Sequence, residues 1–371
     1  MGAADSVASA AGDGNPAAPA GSAETASRHP CYSTDANTRF GRIHVPVAPR
    51  CTVQCNYCTR EFACPNENRP GVTTRVIGAD EAMETIRAAV RAEPRLTVLG
   101  VAGPGDALAN SGTFTMFERA QEEFPQLTRC VSTNGLLLPD RLDDLVRVGV
   151  TALTITINAV DPDVGEQIYS HIRYRRVTYR GREAFTVLSR NQLEGLRQAA
   201  RRGMTVKVNS VLIPGVNDEH LVDVARLVKA LGAYVHNIIP MIPLARFAHL
   251  SEPTPQEVTR VREACAQVLT QFDGCQRCRA DAIGIPGKEG CTITTITGIG
   301  RRRWPRTSAA ATEQAPPAAR TAVAPRSAQP SIVLPGTPAR LHFPARVAAS
   351  PAADAPPVLS PRDDLEQEPV S

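Results

Sequence analysis

No stretch of this 371-residue chain holds about 18 consecutive apolar residues, which excludes a membrane-spanning helix. Its opening residues lack a charged segment followed by an apolar run, so export is not expected and a cytoplasmic location is. Net charge is only +4, too little to point to a nucleic-acid partner. The one dense basic run, Arg301-Arg302-Arg303 with Arg306, reads as a solvated linker. Met1-Gly2 with Ser6 fits an acylation pattern, but in low-complexity surroundings it reads as coincidence. Aromatics nearly vanish from residue 301 onward, where 13 Pro and 16 Ala fill 71 positions. Residues 1–28 are Ala/Gly/Ser-rich and carry no apolar period. Segments this poor in apolar surface cannot offset the entropy of ordering. The expectation is therefore a disordered tail over 1–28, one domain over 29–290 and a disordered Pro/Ala-rich tail over 301–371.

Within the domain, β-rich runs alternate with helical periods. Candidate strands are Ile43–Ala48, Thr97–Ala102, Leu127–Ser132, Ala152–Asn158, Thr205–Val211 and Tyr234–Ile239. They are near-continuous apolar runs, as in parallel strands covered on both faces. Candidate helices cover Ala79–Ala92, Thr113–Phe124, Asp140–Val148, Arg182–Arg202, Asp218–Leu231 and Thr254–Phe272, with Gly203 as a stop. Six βα units in succession predict an α/β fold with a parallel sheet, doubly wound or bent into an incomplete barrel. In both, ligands bind beyond the C-terminal ends of the strands.

All ten cysteines fall between Cys31 and Cys291, in spacings unlike a small secreted disulfide framework. In a cytosolic chain such clustering points to metal or redox chemistry. Cys51-Thr-Val-Gln-Cys55-Asn-Tyr-Cys58 follows the first strand directly. Three thiolates on one loop can hold three corners of a [4Fe-4S] cubane and leave the fourth iron open. Structural zinc instead wants a closed set of four ligands. Polar or glycine-rich stations close the next strands: Gly103-Pro104-Gly105-Asp106, Ser132-Thr133-Asn134-Gly135, Thr156-Ile-Asn158 and Asn209-Ser210. As a set they suit hydrogen bonds to a ribose, a carboxylate and an adenine.

This pattern resembles the radical S-adenosylmethionine (SAM) superfamily, in which an aromatic residue, here Tyr57, precedes the last cysteine. The resemblance implies an incomplete (β/α)6 TIM-like barrel and an open-site [4Fe-4S] cluster on Cys51, Cys55 and Cys58. It also implies SAM bound near Tyr57, Gly103, Gly105, Asp106, Ser132, Asn134, Thr156, Asn158 and Asn209.

Further words narrow the resemblance: His29-Pro-Cys31, Cys64-Pro-Asn-Glu67-Asn-Arg69-Pro-Gly, Cys130, and Cys275-Gln-Arg-Cys278-Arg-Ala-Asp281. From His29 to Gly287 the chain is similar to the NifB family of nitrogenase cofactor biosynthesis. That resemblance implies a lyase- or transferase-type maturase that fuses two [4Fe-4S] clusters into an eight-iron, carbide-containing precursor of the FeMo cofactor. SAM is both carbon source and radical source. The two further [4Fe-4S] clusters are assigned to His44, Cys64 and Cys130, and to Cys31, Cys275 and Cys278, with His29 competing for the place of His44. Glu67 is expected to move protons. Partners would be iron–sulfur cluster donor proteins, a cofactor carrier, the nitrogenase cofactor assembly scaffold and a low-potential electron donor, with neither nucleic acid nor membrane. The tail lacks the βα alternation of a carrier-like C-terminal domain, so the stand-alone form is expected. Cys265 reads as a core residue, and Cys291 and the β-prone stretch after it receive no role. The alternatives are another radical SAM enzyme acting on a small molecule or peptide, and a non-enzymatic cluster scaffold.

Overall fold

The computed structural model describes residues 19–64 and 67–287. The 301–371 tail, Cys291 and residues 1–18 lie outside the described residues. In chain order the elements are α1 (Ser22–Arg28), α2 (Thr34–Arg39), β1 (Gly41–His44), β2 (Val53–Cys55), α3 (Ala79–Ala92), β3 (Leu96–Val101), α4 (Ser111–Glu123), β4 (Thr128–Thr133), α5 (Leu138–Arg147) and β5 (Val150–Thr156). There follow α6 (Pro162–Ile168), β6 (Tyr169–Tyr174), β7 (Val177–Arg180), α7 (Gly181–Arg201), β8 (Thr205–Leu212), α8 (Leu221–Ala230), β9 (Val235–Pro240), α9 (Pro255–Ala266) and β10 (Ile283–Gly284).

The main sheet has the order β10-β1-β3-β4-β5-β8-β9. Neighbours from β1 through β9 pair in parallel, and β10 closes the β1 edge antiparallel. Strands that neighbour one another in chain order, with helices between them, make the curled, incomplete (β/α)6 barrel. All six strands and the six long helices match the sequence reading in kind. The strands differ from it in one respect. The long helices cover only one face, where Val131, Leu153, Ile155, Val206 and Val208 join the core with Met83, Phe117, Leu142, Leu145 and Leu196. Alternate residues, Cys130, Ser132, Thr154, Lys207 and Asn209, turn to the concave side and line a cavity. The polar positions inside apolar runs are thus the inner face of the barrel.

Three local differences have physical causes. Residues 22–28, assigned by composition to a tail, form α1, whose Ala26 is buried with Tyr32, Ala152, Val235 and Phe272. Helix α8 begins at Leu221 and not at Asp218, because the Asn217 side chain ties down the turn. Its Oδ1 accepts from Ile213 N (2.8 Å), and its Nδ2 donates to Asn158 O (3.0 Å) and Val211 O (2.8 Å). Helix α9 starts with a Thr254/Glu257 capping box and ends at Ala266, short of Phe272. A separate antiparallel sheet, β2-β6-β7, was not visible in the sequence. Gly203 does stop α7 as read, with φ of 80° after the Arg202 cap.

The loop between β1 and β2 is fastened to the turn after β3. Gly105 N donates to Ala48 O, and Asp106 N donates to Arg50 O (2.8 Å). Asn110 Nδ2 donates to Arg50 O (2.9 Å), while Arg50 N donates back to Asn110 Oδ1 (3.1 Å). A Cβ on Gly105 would stand 2.4 Å from Arg50 O, so only glycine permits this approach. The buried Asp106 carboxylate joins the assembly to β4: it accepts from Leu108 N (2.9 Å), Thr133 Oγ1 (2.9 Å) and Asn134 N (2.6 Å). Asp106→Asn would turn an amide N–H toward these donors. The expected cost is about 1–3 kcal/mol, read as a lowered denaturant midpoint at unchanged slope.

Candidate metal centre

Cys51, Cys55 and Cys58 are free and partly exposed on the loop that enters and leaves β2. The loop is held by bonds to its own carbonyls. Gln54 Nε2 donates to Cys55 O (3.1 Å) and Cys58 O (2.8 Å), and Cys58 N donates to Cys55 O (3.1 Å). Arg60 clamps Gln54, with Nε to Oε1 at 2.9 Å, and also donates to Val53 O (2.8 Å). Asn134, following β4, donates from Nδ2 to Cys51 Sγ at 3.6 Å. Burial pushes the Cys55 thiol well up, and repulsion from Cys58 and Cys51 pushes it further. Burial likewise raises Cys51 and Cys58. Three half-buried sulfurs that repel one another as thiolates are a costly grouping unless a cation lies among them. This donor set fits a [4Fe-4S] cubane held at three corners. Among the described residues no three Cys, His, Asp or Glu side chains converge on one point as a single-ion site requires.

The second feature is a partly open cavity of about 140 Å³ on the concave side of the sheet. Its walls bring together Cys31, Cys130, Cys275 and Cys278 with His29 and His44. Cys31, Cys130 and Cys275 pack against the apolar wall made by Tyr32, Phe272 and Ala26. Burial raises the Cys31 thiol; Lys207 counters this, while Cys278 and Cys275 add to it. Burial and the Cys31 charge push Cys130 up to about 12. Registry places His44, Gly100 and Cys130 side by side on β1, β3 and β4. A Cβ on Gly100 would meet His44 Cδ2 at 3.0 Å, so the imidazole lies over the glycine toward Cys130.

The two histidines are in opposite hydrogen-bonding states. His44 Nδ1 lies 3.3 Å from Arg279 O, and a carbonyl can only accept, so Nδ1 carries the proton and Nε2 keeps its lone pair. Burial and the Arg42 charge lower His44 to about 3. His29 Nδ1 instead accepts from Cys31 N (3.1 Å), which puts the proton on Nε2, buried without a partner.

Four charged residues that the sequence reading gave no role organise this cavity. Lys207 is 5% exposed; its Nζ donates to Cys31 O (3.0 Å) and sits 5.2 Å and 5.4 Å from the Tyr32 and Phe272 ring centroids. Arg42, also buried, donates from Nη2 to Cys278 Sγ at 2.8 Å and from Nη1 to Gly284 O. Arg279 and Asp281 form a buried ion pair, with Nε to Oδ1 at 2.8 Å. Asp281 Oδ2 accepts from Thr74 N (2.7 Å), while Arg279 Nη1 holds the carbonyls of Cys64 (3.0 Å) and Glu67. The cue was present: a charged residue amid an apolar strand, as Lys207 is in β8, or beside a paired cysteine, as Arg279 is.

The remaining expected residues divide. Ser132 and Asn209 line the cavity, with Asn237 Nδ2 donating to Asn209 Oδ1 at 3.0 Å. Thr156 pairs with Asn209 across β5 and β8. Gly103, at φ 126°, packs against Gly71 and Ala280. Asp106 corrects an expectation, since its carboxylate is consumed inside the protein and does not face a cofactor. Asn158 does likewise: Nδ2 donates to Tyr57 OH (2.8 Å) and Oδ1 accepts from Val211 N (2.9 Å), so it positions Tyr57. Cys64 does not line the cavity. Nor does Glu67, half-exposed and paired with Arg69 Nε at 2.6 Å. Cys265 is buried in the core as read.

A (β/α)6 half-barrel with a CxxxCxxC loop after its first strand is the arrangement of radical SAM proteins, and residues 45–228 match the Radical SAM superfamily. The FeMo cofactor biosynthesis protein NifB of Klebsiella pneumoniae is 45% identical over 276 residues, covering 72% of this chain and 58% of that protein. NifB of Chlorobaculum tepidum is 43% identical over 263 residues (70% and 62%), and that of Rhodobacter capsulatus 45% over 268 (70% and 59%). This radical SAM chain belongs to the NifB family. It spans less than two thirds of the length of these relatives. Among the described residues no helix is long and apolar enough to cross a membrane.

The Arg279–Asp281 pair gives a pH signature. Burial acts to raise the Asp281 carboxyl, but Arg279 and the Thr74 amide outweigh it and hold it low. A lowered folded value contributes stability above the unfolded value of about 4, lost as pH falls through the lower folded one. Asp281→Asn should cost about 3–5 kcal/mol at pH 7 and flatten the loss of stability below pH ~4, measured by denaturant titrations across pH.

Proposed function

We propose that this chain is a maturase that joins two [4Fe-4S] units into an eight-iron, carbide-containing precursor of the nitrogenase FeMo cofactor. SAM is the source of the carbon and of the hydrogen-abstracting radical. The observation that carries the reading is the single cavity gathering four cysteines and two histidines apart from the Cys51–Cys58 loop. An electron-transfer scaffold needs no open cavity shared between its ligands. The names of the similar proteins, all FeMo cofactor biosynthesis proteins, support it further.

Cys51, Cys55 and Cys58 would hold the resident cluster, which with SAM supplies one-electron reductive cleavage of the sulfonium. Asn134 and the Asp106–Asn110 turn fix Cys51. Gly103 and Gly105 let the backbone after β3 lie close to its neighbours. In the cavity, Cys31, Cys275 and Cys278 would hold one substrate cluster. His44 and Cys130 would hold the other, with Cys64, outside the cavity wall in this structure, as its third ligand. A ligating imidazole commonly donates its other N–H to a carbonyl, the state of His44 and not of His29. Lys207 and Arg42 place positive charge against a thiolate-ligated, negatively charged substrate and would lower the cost of burying it.

Two experiments test the reading. Full chain purified without oxygen and reconstituted should hold about twelve irons, from three four-iron clusters. With dithionite and SAM it should form both 5′-deoxyadenosine and S-adenosylhomocysteine. About four irons with 5′-deoxyadenosine alone would leave a radical SAM enzyme but remove the maturase reading. Separately, His44→Ala should lower the iron count by about four or broaden one cluster's spectrum, whereas His29→Ala should keep its iron. The reverse result would transfer the ligand role to His29.

A further inference from the structure

The small sheet β2-β6-β7 has two unlike faces. Val53, Ile172 and Tyr174 turn inward and are buried. On the other face, registry aligns Gln54 with His171 and His171 with Arg180, and Arg173 stands two residues beyond His171 opposite Thr178. Arg60, bonded to Gln54, extends the row at the β2 end. Arg246, from the segment after β9, contributes as well: burial and the charges of Arg180, Arg60 and Arg246 keep the His171 imidazole below its ordinary value. Arg60, Arg173, Arg180 and Arg246 are exposed. Among the described residues none of the four has a carboxylate partner, whereas exposed arginines elsewhere, such as Arg75, Arg147 and Arg182, do. No acidic residue occurs on β2, β6 or β7.

The place of this face matters as much as its charge. β2 carries Cys55, and Gln54, in the same basic row, holds the carbonyls of Cys55 and Cys58. A molecule seated on the row would therefore rest directly against the backbone of the cysteine loop. A chain of net charge +4 that concentrates unpaired arginines there presents a local attraction for a negatively charged surface.

We infer that the outer face of β2-β6-β7 docks an acidic one-electron donor protein that reduces the cluster held by Cys51, Cys55 and Cys58. The inference rests on the proposed function for the identity of that cluster. In the docked complex one electron leaves the reduced donor and enters the cluster; no atom or proton is exchanged, and the donor is left oxidised by one electron. Docking is a property of the polypeptide face and is measurable without the cluster.

The test uses the full chain and a bacterial ferredoxin of net negative charge. Binding to the cluster-free chain, followed by calorimetry, should weaken with added salt. It should fall about tenfold or more in Arg173→Glu/Arg180→Glu, with a smaller loss in Arg173→Gln/Arg180→Gln. In reconstituted protein, ferredoxin-driven SAM cleavage should fall in parallel, and dithionite-driven cleavage should stay at the wild-type rate. Unchanged ferredoxin binding in both variants overturns the docking site. Loss with dithionite as well would place the arginines in the SAM reaction and equally overturn it. Loss of binding to a short single-stranded oligonucleotide, with ferredoxin binding intact, would reassign the face to nucleic acid. Wild-type protein that binds ferredoxin but cleaves no SAM with either reductant would count against the proposed function and leave the docking face standing.

Discussion

The site depends on one buried carboxylate. Asp106 is buried, and its oxygens are satisfied by two backbone amides and a hydroxyl contributed by two strand ends. Burial pushes its carboxyl up on balance, and the Asn134 amide, Thr133 and Leu108, all neutral donors, pull against that rise. Through Asp106 N and Asn110 the same turn grips Arg50, the residue before Cys51. A flexible cysteine loop is in this way tied to the rigid edge of a parallel sheet. The strand supplies stiffness, the carboxylate transmits it, and the thiol inherits a fixed position.

The cavity is organised by the opposite device, charges that are paired or faced by aromatic rings. Lys207 rests between Tyr32 and Phe272 and donates to the Cys31 carbonyl. The Arg279–Asp281 pair anchors three separate segments: Cys64 and Glu67 through carbonyls, Thr74 through its amide, and His44 through the Arg279 carbonyl. Such pairs seldom add much net stability but strongly penalise any arrangement that separates them. Here they specify where loops with little apolar content must lie.

What the sequence made legible follows from the same physics. The six βα units were readable because apolar periodicity over long segments is a strong signal, and the cysteine loop because its spacing is chemically restrictive. Five of the six expected ligands of the substrate clusters meet at one cavity: Cys31, His44, Cys130, Cys275 and Cys278. Helix α1 escaped because Ser22–Arg28 is a short Ala-rich stretch whose order comes from docking Ala26, a tertiary contact that composition cannot report. The β2-β6-β7 sheet escaped because its strands are short and β2 pairs with the β6-β7 hairpin across more than a hundred residues. The states of His29 and His44 differ only in whether a ring nitrogen meets an amide or a carbonyl, which requires coordinates. Asp106 and Asn158 were read as ligand-facing because strand-end polar residues look alike whether they bind inward or outward.

The pairing of β10 with β1 sets a condition on how the protein comes into being. Ile283 and Gly284 lie beside Ile43 and Arg42, and the cavity takes His29 and Cys31 from one end of the described chain and Cys275 and Cys278 from the other. A ribosome releases the first of these groups some 240 residues before the last, a separation close to that between Arg42 and Gly284 (242 residues). Until then the early thiols have no enclosing wall. The half-barrel can begin to collapse locally, one βα unit after another, but the compartment closes only with the final strand. Construction of the cavity is thus a late event in the life of the nascent chain, and metal arriving earlier would meet isolated thiols in place of a finished site.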